Sequence, residues 1–141
     1  MNIDDIVNGY VIDHITAGRA MKLYRMLGFA DREDVSVAIL RNVTSRKLGR
    51  KDIIKIDADV DLDFDIIGYV DPGATVNIIR DGKRIEKRTM DLPETLTNVL
   101  KCKNPRCITS CEQELDHVFR LTDRENRVYR CIYCETKSQL E

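Results

Sequence analysis

The chain has 141 residues, enough for one domain or two small ones, and its 43% hydrophobic content is ordinary for a protein with a packed core. Its 23 basic and 24 acidic residues leave a net charge of −1, which argues against a general polyanion binder. No apolar run approaches the ~20 residues of a membrane span, which indicates a soluble intracellular protein. The absence of Trp leaves little aromatic surface for stacking on nucleic acid.

The first third of the chain predicts a strand and a helix, followed by two more strands. Residues 10–15 are mostly apolar and β-branched, which is typical of a strand. Thr16 is expected to cap a helix whose apolar residues recur at helical spacing and which stops at Gly28. The two further strands are predicted over residues 35–40 and 52–56.

The middle of the chain predicts a short helix and a hairpin. In residues 57–70 aspartates alternate with apolar residues, which locally favours a strand, but a helix suits the topology better because the chain must cross over here. Asp81-Gly82 then separates two strand-like runs and indicates a tight hairpin, since both residues accept positive φ. The resulting order predicts an α+β fold, with a ferredoxin-like antiparallel sheet and two helices on one face.

A second domain is predicted after this sheet. Residues 92–100 carry an apolar stripe behind Pro93, so we expect a short helix that links the two domains. The first domain is then residues 1–95 and the second residues 96–141. Within the second, residues 118–121 and 127–130 predict a hairpin, which indicates a small β zinc-ribbon-like fold.

The cysteines mark the second domain, because all five lie between positions 102 and 134. Cys102-x4-Cys107 and Cys131-x2-Cys134 form two close pairs, and two such pairs can converge into the four-thiolate site of a structural Zn²⁺. The acidic N-terminus lacks signal-peptide features, which disfavours a disulfide framework, and a strand running into the second pair disfavours a redox motif. We therefore predict one structural zinc per chain, with Cys111 as a spare thiol in a loop.

Enzyme signatures are missing from the sequence. It contains no glycine-rich phosphate loop, no G-x-S-x-G and no H-E-x-x-H motif, and the aspartate-rich stretch lacks the Gly and Glu of an EF-hand. Asp13 and His14 end a buried-looking strand, but no nucleophile or carboxylate pair completes a catalytic set around them. The residues alone therefore indicate a binding protein rather than an enzyme.

Three blocks of sequence carry a specific resemblance. They are GYVIDHI at residues 9–15, GRKDIIKI at residues 49–56 together with ATVN at residues 74–77, and residues 92–100 followed by the four-cysteine spacing. Together they resemble the regulatory chain of aspartate carbamoyltransferase over nearly the whole length. The resemblance implies a non-catalytic subunit of pyrimidine biosynthesis, with an N-terminal nucleotide-effector domain and a C-terminal zinc domain that docks on a separate catalytic chain.

The same resemblance implies the effectors and the residues that bind them. CTP, with UTP, is expected to inhibit the assembled enzyme and ATP to activate it at one site, which needs convergent cations for the triphosphate. Lys87 is the implied phosphate ligand with His14 nearby, while Lys55 and Asp13 reach the ribose and neighbouring groups. The other implied effector-site residues are Ile3, Asp4, Ile6, Val11, Asn77 and Ile79.

Further partners follow from the resemblance. The sheet domains are expected to pair into homodimers in the cytoplasm, without nucleic acid or membrane partners. Asn104, Arg106 and Glu135, beside the cysteines, are candidates for contacts with the catalytic chain. Gly82 replaces a larger residue of a family member, which affects the expected nucleotide selectivity.

Two other functions stay open at this point. One is a zinc-ribbon nucleic-acid-binding protein, since the C-terminal region contains several arginines, although acidic residues dilute them. The other is a small ferredoxin-like enzyme that uses Asp13 and His14 as acid and base.

Overall fold

The computed structural model describes residues 6–138, and the chain forms two compact units that divide between Asp91 and Leu92. Within the described residues, no helix is both long enough and apolar enough to span a bilayer.

The first unit is an antiparallel sheet of five strands with two helices, which confirms the predicted α+β, ferredoxin-like arrangement. The strands lie in the order β2-β3-β1-β4-β5, so that β1 is central and β2 and β5 are the edges. The strands are β1 (Gly9–Thr16), β2 (Ser36–Ser45), β3 (Gly49–Asp57), β4 (Thr75–Arg80) and β5 (Lys83–Thr89), and the helices are α1 (Ala20–Met26) and α2 (Phe64–Val70).

The larger part of the core of this unit lies on one face of the sheet, under the two helices. Ile12 of β1 pairs with Ile54 of β3 and with Val76 of β4, and all three side chains are fully buried. Leu23 of α1 and Ile67 of α2 are also fully buried and supply the helical layer. Because side chains alternate along a strand, the neighbouring residues of β1, β3 and β4 point to the opposite face.

Helix α1 begins differently from the prediction. Thr16 still belongs to β1, and the residue at the N-cap is Arg19, which makes no side-chain cap. The buried carboxylate of Asp52 on β3 takes this role, since its Oδ2 accepts the backbone N–H groups of Gly18 at 2.9 Å and Ala20 at 3.1 Å. A residue 32 positions away thus satisfies the free donors of the first turn.

The predicted helix and hairpin of the middle segment are both present. Asp63 caps α2, because its Oδ1 accepts the N–H groups of Asp65 and Ile66. Asp81 and Gly82 have φ of 52° and 76° between the paired strands β4 and β5, as a primed hairpin turn requires.

The second unit is built on an antiparallel sheet of three strands in the order β6-β7-β8. The predicted hairpin is present as β7 and β8. Cys111 ends a one-turn helix and is exposed, so its predicted place in a loop was wrong. The elements are β6 (Thr95–Thr97), α3 (Ile108–Cys111), β7 (Val118–Asp123) and β8 (Val128–Cys131).

The helix predicted over residues 92–100 was wrong. Leu96 pairs with Phe119 of β7 and is fully buried between two exposed threonines, which is the period of a strand. Asn98 then takes a φ of 59°, which a helix does not allow. Burial against β7 therefore overrides the helical spacing of the leucines.

Candidate metal centre and effector-binding face

The four paired cysteines of the second unit converge on one point. The Sγ atoms of Cys102, Cys107, Cys131 and Cys134 all lie within 4.8 Å of one another. Cys102 and Cys134 are 3.5 Å apart, and Cys107 and Cys131 are 3.7 Å apart. Four thiolates at 2.3 Å from a tetrahedral Zn²⁺ lie about 3.8 Å from each other, so the set fits one such ion and leaves no open coordination position.

The surroundings of these thiols set their protonation. Burial raises the pKa of Cys102 to about 12 and also raises the pKa of Cys131. In contrast, the hydroxyl of Thr136, 3.2 Å from Sγ, lowers the pKa of Cys134 to about 6. Cys102 and Cys131 therefore keep their protons at neutral pH in the metal-free site, and a metal ion must displace them.

Three residues that support the ligands were missed in the sequence. Thr109 places its hydroxyl 3.1 Å from Cys107 Sγ, as Thr136 does for Cys134. His117 accepts the backbone N–H of Cys102 at Nδ1, 3.2 Å away. We call the loop around each cysteine pair a knuckle: the first contains Cys102 and Cys107, and the second contains Cys131 and Cys134. In both knuckles a threonine two positions after a ligand was a usable sequence signal, whereas the contact of His117 depends on the fold of the sheet.

The candidate docking residues differ in their roles. Asn104 uses its side-chain oxygen within the first knuckle, where it accepts the N–H of Arg106 at 3.0 Å. Arg106 and Glu135 are exposed, and Glu135 turns the second knuckle with a φ of 61°. Exposed apolar side chains, Ile108 and Tyr133, lie in the same two knuckles.

In the first unit, four of the predicted effector residues form one row across the sheet. Val11 of β1 pairs with Lys55 of β3 on one side and with Asn77 of β4 on the other, and Asn77 pairs with Lys87 of β5. Residues in register on neighbouring strands share a face, here the face opposite the core row. The row thus carries an amide between two ammonium groups.

Asn77 carries a buried hydrogen-bond acceptor that has no donor within the described part of the chain. Its Oδ1 is buried and has no hydrogen-bond partner among residues 6–138. An unpaired buried acceptor costs about 1–3 kcal/mol, so proteins seldom keep one that has no purpose. A ligand with a donor group at this face would satisfy it.

Asp13 and His14 adjoin this row at an irregularity in β1. The pairing with β3 shifts between Ile12 and Ile15, and His14 has a φ of 56° with its Nδ1 3.0 Å from the Thr75 hydroxyl. Burial alone would raise the pKa of Asp13, but an ion pair with Lys51 at 2.9 Å and the backbone N–H of His14 lower it overall.

Lys51 was not predicted for this site. It lies on the same strand as Lys55, an even number of positions away, so both point to the same face. The strand period was the available signal for it.

The apolar residues of the predicted site also cluster. Ile6, Val11 and Ile79 form a buried group against which Ile53 packs. Ile3 and Asp4 lie outside the described residues. The segment that precedes β1 is tied to the hairpin, because the N–H of Gly82 donates to the carbonyl of Val7 at 2.9 Å.

The fold and the sites define a two-unit α+β protein with a four-thiolate metal module. A family model described as the aspartate carbamoyltransferase regulatory chain, allosteric domain, matches residues 1–91, and its metal binding domain matches residues 94–141. A regulatory chain of Clostridium botulinum is 46% identical over 96% of this chain and 92% of its own length. One from Clostridium tetani is 47% identical, with coverages of 96% and 94%, and one from Bifidobacterium longum is 40% identical, with coverages of 99% and 100%.

The chain belongs to the family of aspartate carbamoyltransferase regulatory chains. It is therefore an allosteric, non-catalytic subunit in pyrimidine biosynthesis, as the resemblance implied. These matches do not favour the nucleic-acid-binding alternative.

Proposed function

We propose that the face of the first sheet opposite its helices binds nucleoside triphosphates and that the metal unit docks on the catalytic chain of aspartate carbamoyltransferase. The row Lys55–Val11–Asn77–Lys87 is the observation that supports the first part, because it places two cations and an unpaired amide on one face. A triphosphate is a polyanion, and charge-assisted bonds to lysine are among the stronger contacts that such a ligand can make.

The face offers a separate group for each part of a nucleotide. Lys87, with His14, binds the phosphates, and Lys55 with the ionised Asp13 binds the ribose and its neighbours. The apolar cluster at Val11 and Ile79 packs against the base. The remaining members of the proposed effector site are Ile3, Asp4, Ile6 and Asn77.

The effectors act by shifting the balance between two quaternary states. CTP and UTP inhibit and ATP activates, because a purine and a pyrimidine on the same face pack differently and so favour different states. A ligand shifts such a balance only through its different affinity for the two states, typically ~1–3 kcal/mol per site.

The two units contact different partners in the cytoplasmic assembly. In the metal unit, the exposed Ile108 and Tyr133, with Arg106 and Glu135, form the surface that docks on the catalytic chain. The bound metal, Zn²⁺, holds both knuckles in shape. In the first unit, β2 is an edge strand that exposes Leu40, and we propose that two regulatory chains pair along it.

Co-purification with the catalytic chain tests this function. The wild type is expected to assemble and to make the reaction rate respond to CTP, UTP and ATP. Cys107→Ser is expected to lose metal and assembly while nucleotide affinity persists in the first unit. A complex whose rate ignores all three nucleotides would refute the effector role, and full assembly by the metal-free variant would refute the docking role.

A further inference from the structure

The sheet of the second unit has one buried face and one open face. Leu96, Phe119 and Cys131 lie in register across β6, β7 and β8, and all three are buried. The residues between them point outward, because side chains alternate along a strand. We call this open side the outer face.

A cationic row crosses the outer face. Thr95 of β6 pairs with Arg120 of β7, which pairs with Arg130 of β8. Like charges directly opposite each other destabilise a sheet. Neither Arg120 nor Arg130 makes an ion pair with any carboxylate in residues 6–138. Nη1 of Arg130 donates to the backbone carbonyl of Glu135, at 2.9 Å.

An apolar row runs beside the cationic one. Thr97 of β6 pairs with Val118, and Ile132 donates its N–H to the Val118 carbonyl at 3.0 Å, just beyond the end of β8. Ile132 is 47% exposed, as is Tyr133 next to it. Arginine, isoleucine and tyrosine side chains around a partly apolar centre are typical of a protein interface.

The surface between these residues is concave. A cleft of about 350 Å³ is lined by Thr95, Arg120 and Arg124, and a smaller one of about 80 Å³ by Arg120, Arg130 and Ile132. Arg120 and Thr122 line both clefts, so the two clefts are neighbours on this side of the sheet, and we call them together the groove. The groove offers guanidinium and hydroxyl donors along its length and an apolar wall at one end.

We propose that this groove takes an acidic, extended segment of the catalytic chain. Its carboxylates bind Arg120 and Arg130, and its apolar side chains pack on Val118 and Ile132. This inference rests on the proposed docking of the metal unit and extends that surface from the knuckles, through Ile132 and Tyr133, onto the sheet.

Charge complementarity selects this occupant. Two opposed guanidiniums need an anion, and carboxylates match their fork geometry. Glu94 and Glu135 border the groove and weaken the positive potential that the phosphate backbone of a nucleic acid needs. The neighbouring apolar row suits a polypeptide instead. Arg130 adjoins a metal ligand in sequence, but its side chain lies on the face opposite Cys131.

Charge reversal in the full chain, mixed with its own catalytic chain, tests the groove. Arg120→Glu and Arg130→Glu are each expected to weaken assembly at least about tenfold and to reduce its salt dependence. Nucleotide affinity should not change in either variant, and metal content should not change in Arg120→Glu. Arg130→Glu also loses the bond to the Glu135 carbonyl, so its metal content is measured beside its assembly and Arg120→Glu provides the decisive comparison. Arg127→Glu, in the exposed turn between β7 and β8, is the matched control and should assemble as the wild type does.

The outcomes separate this inference from the function on which it rests. If both reversals assemble normally while Cys107→Ser does not, the groove proposal is overturned and docking through the metal unit stands. If the wild type itself fails to bind the catalytic chain, both are overturned. The alternative is that the two arginines bind a small anion instead, which calorimetric titration with inorganic phosphate tests. If phosphate binds the wild type but not Arg120→Glu, and that variant assembles normally, the proposal is also overturned.

Discussion

Lys55 and Asn77 lie on opposite sides of Val11, each paired directly with it, so that an ammonium group and an unpaired amide oxygen line the same face of the sheet. Both side chains are nearly buried, with 8% and 7% exposed. The buried Oδ1 of Asn77 has no partner among residues 6–138, which lowers the stability of the free chain unless a ligand satisfies it. Under the proposed function, Asn77 favours nucleotide binding at the expense of the stability of the free chain.

Replacing Asn77 with valine should separate these two effects. Asn77→Val removes the unpaired acceptor and suits a strand, so the free energy of unfolding of the nucleotide-free chain is expected to rise by about 1 kcal/mol. Nucleotide affinity is expected to fall about tenfold, since the ligand loses one hydrogen bond. Urea unfolding with and without CTP measures both quantities. A variant that is less stable than the wild type would mean that Oδ1 contributes to stability in the free chain.

Lys87 should affect all nucleotides alike. Lys87→Ala removes a phosphate contact and leaves the base contacts intact, so CTP, UTP and ATP are each expected to bind about tenfold to a hundredfold more weakly. Direct calorimetric titration of each nucleotide measures this.

The same strand provides the control for Lys87. Lys83→Ala changes the same charge, but Lys83 pairs with Arg80 and therefore points to the opposite face. The affinities of Lys83→Ala for CTP, UTP and ATP should therefore equal those of the wild type. A loss confined to one base in Lys87→Ala would instead assign this lysine to base recognition.

The features that the sequence predicted well depend on local chemistry. Asp81-Gly82 specifies a hairpin because only a few residues accept its backbone angles, and the cysteine spacing specifies a metal site because four sulfurs must surround one ion. The features that it did not predict depend on partners distant in the chain. The cap of α1 comes from Asp52, and Leu96 forms a strand because it meets Phe119.

The proposed effector face lies between these extremes. The resemblance supplied its residues, but the residues alone did not show that Lys55, Asn77 and Lys87 share a row. That row follows from the register of four strands, which a single sequence leaves undetermined. The strand period could have placed Lys51 on the face of Lys55, but its ion pair with Asp13 joins two strands and so could not be read from the sequence.

The cap of α1 should be costly to remove. Asp52 is fully buried and accepts the N–H groups of Gly18, Ala20 and Asn42, so Asp52→Ala leaves three donors without this acceptor. We expect a loss of at least about 3 kcal/mol in the free energy of unfolding of the first unit. Chemical denaturation followed by circular dichroism measures it.

An exposed aspartate provides the comparison for Asp52. Asp61→Ala removes the same charge from the surface and should change stability by less than about 0.5 kcal/mol. Equal losses in the two variants would show that net charge, rather than the cap, sets the effect.

Metal affinity in the second unit should rise with pH. Only thiolates bind the metal, so a sulfur that is protonated in the free site must release its proton on binding. At pH 7 Cys102, with a pKa of about 12, and Cys131, whose pKa is also raised, are protonated, whereas Cys134, with a pKa of about 6, is ionised. These two protons alone predict that affinity increases about a hundredfold per pH unit near neutrality.

Thr136 tunes this dependence through Cys134. Thr136→Val removes the hydroxyl that is the largest cause of the lowered pKa of Cys134, so this pKa should rise, a larger fraction of the thiol should be protonated at pH 7, and up to one more proton should be released per metal bound. Calorimetry of zinc binding in two buffers of different ionisation enthalpy counts the protons. Thr122→Val, at an exposed site on β7, is the control and should release the wild-type number. Because a proton must leave before the metal binds, the Thr136 variant should also lose zinc to a chelator at a higher pH than the wild type. An unchanged number of released protons would show that the hydroxyl does not set the ionisation of Cys134.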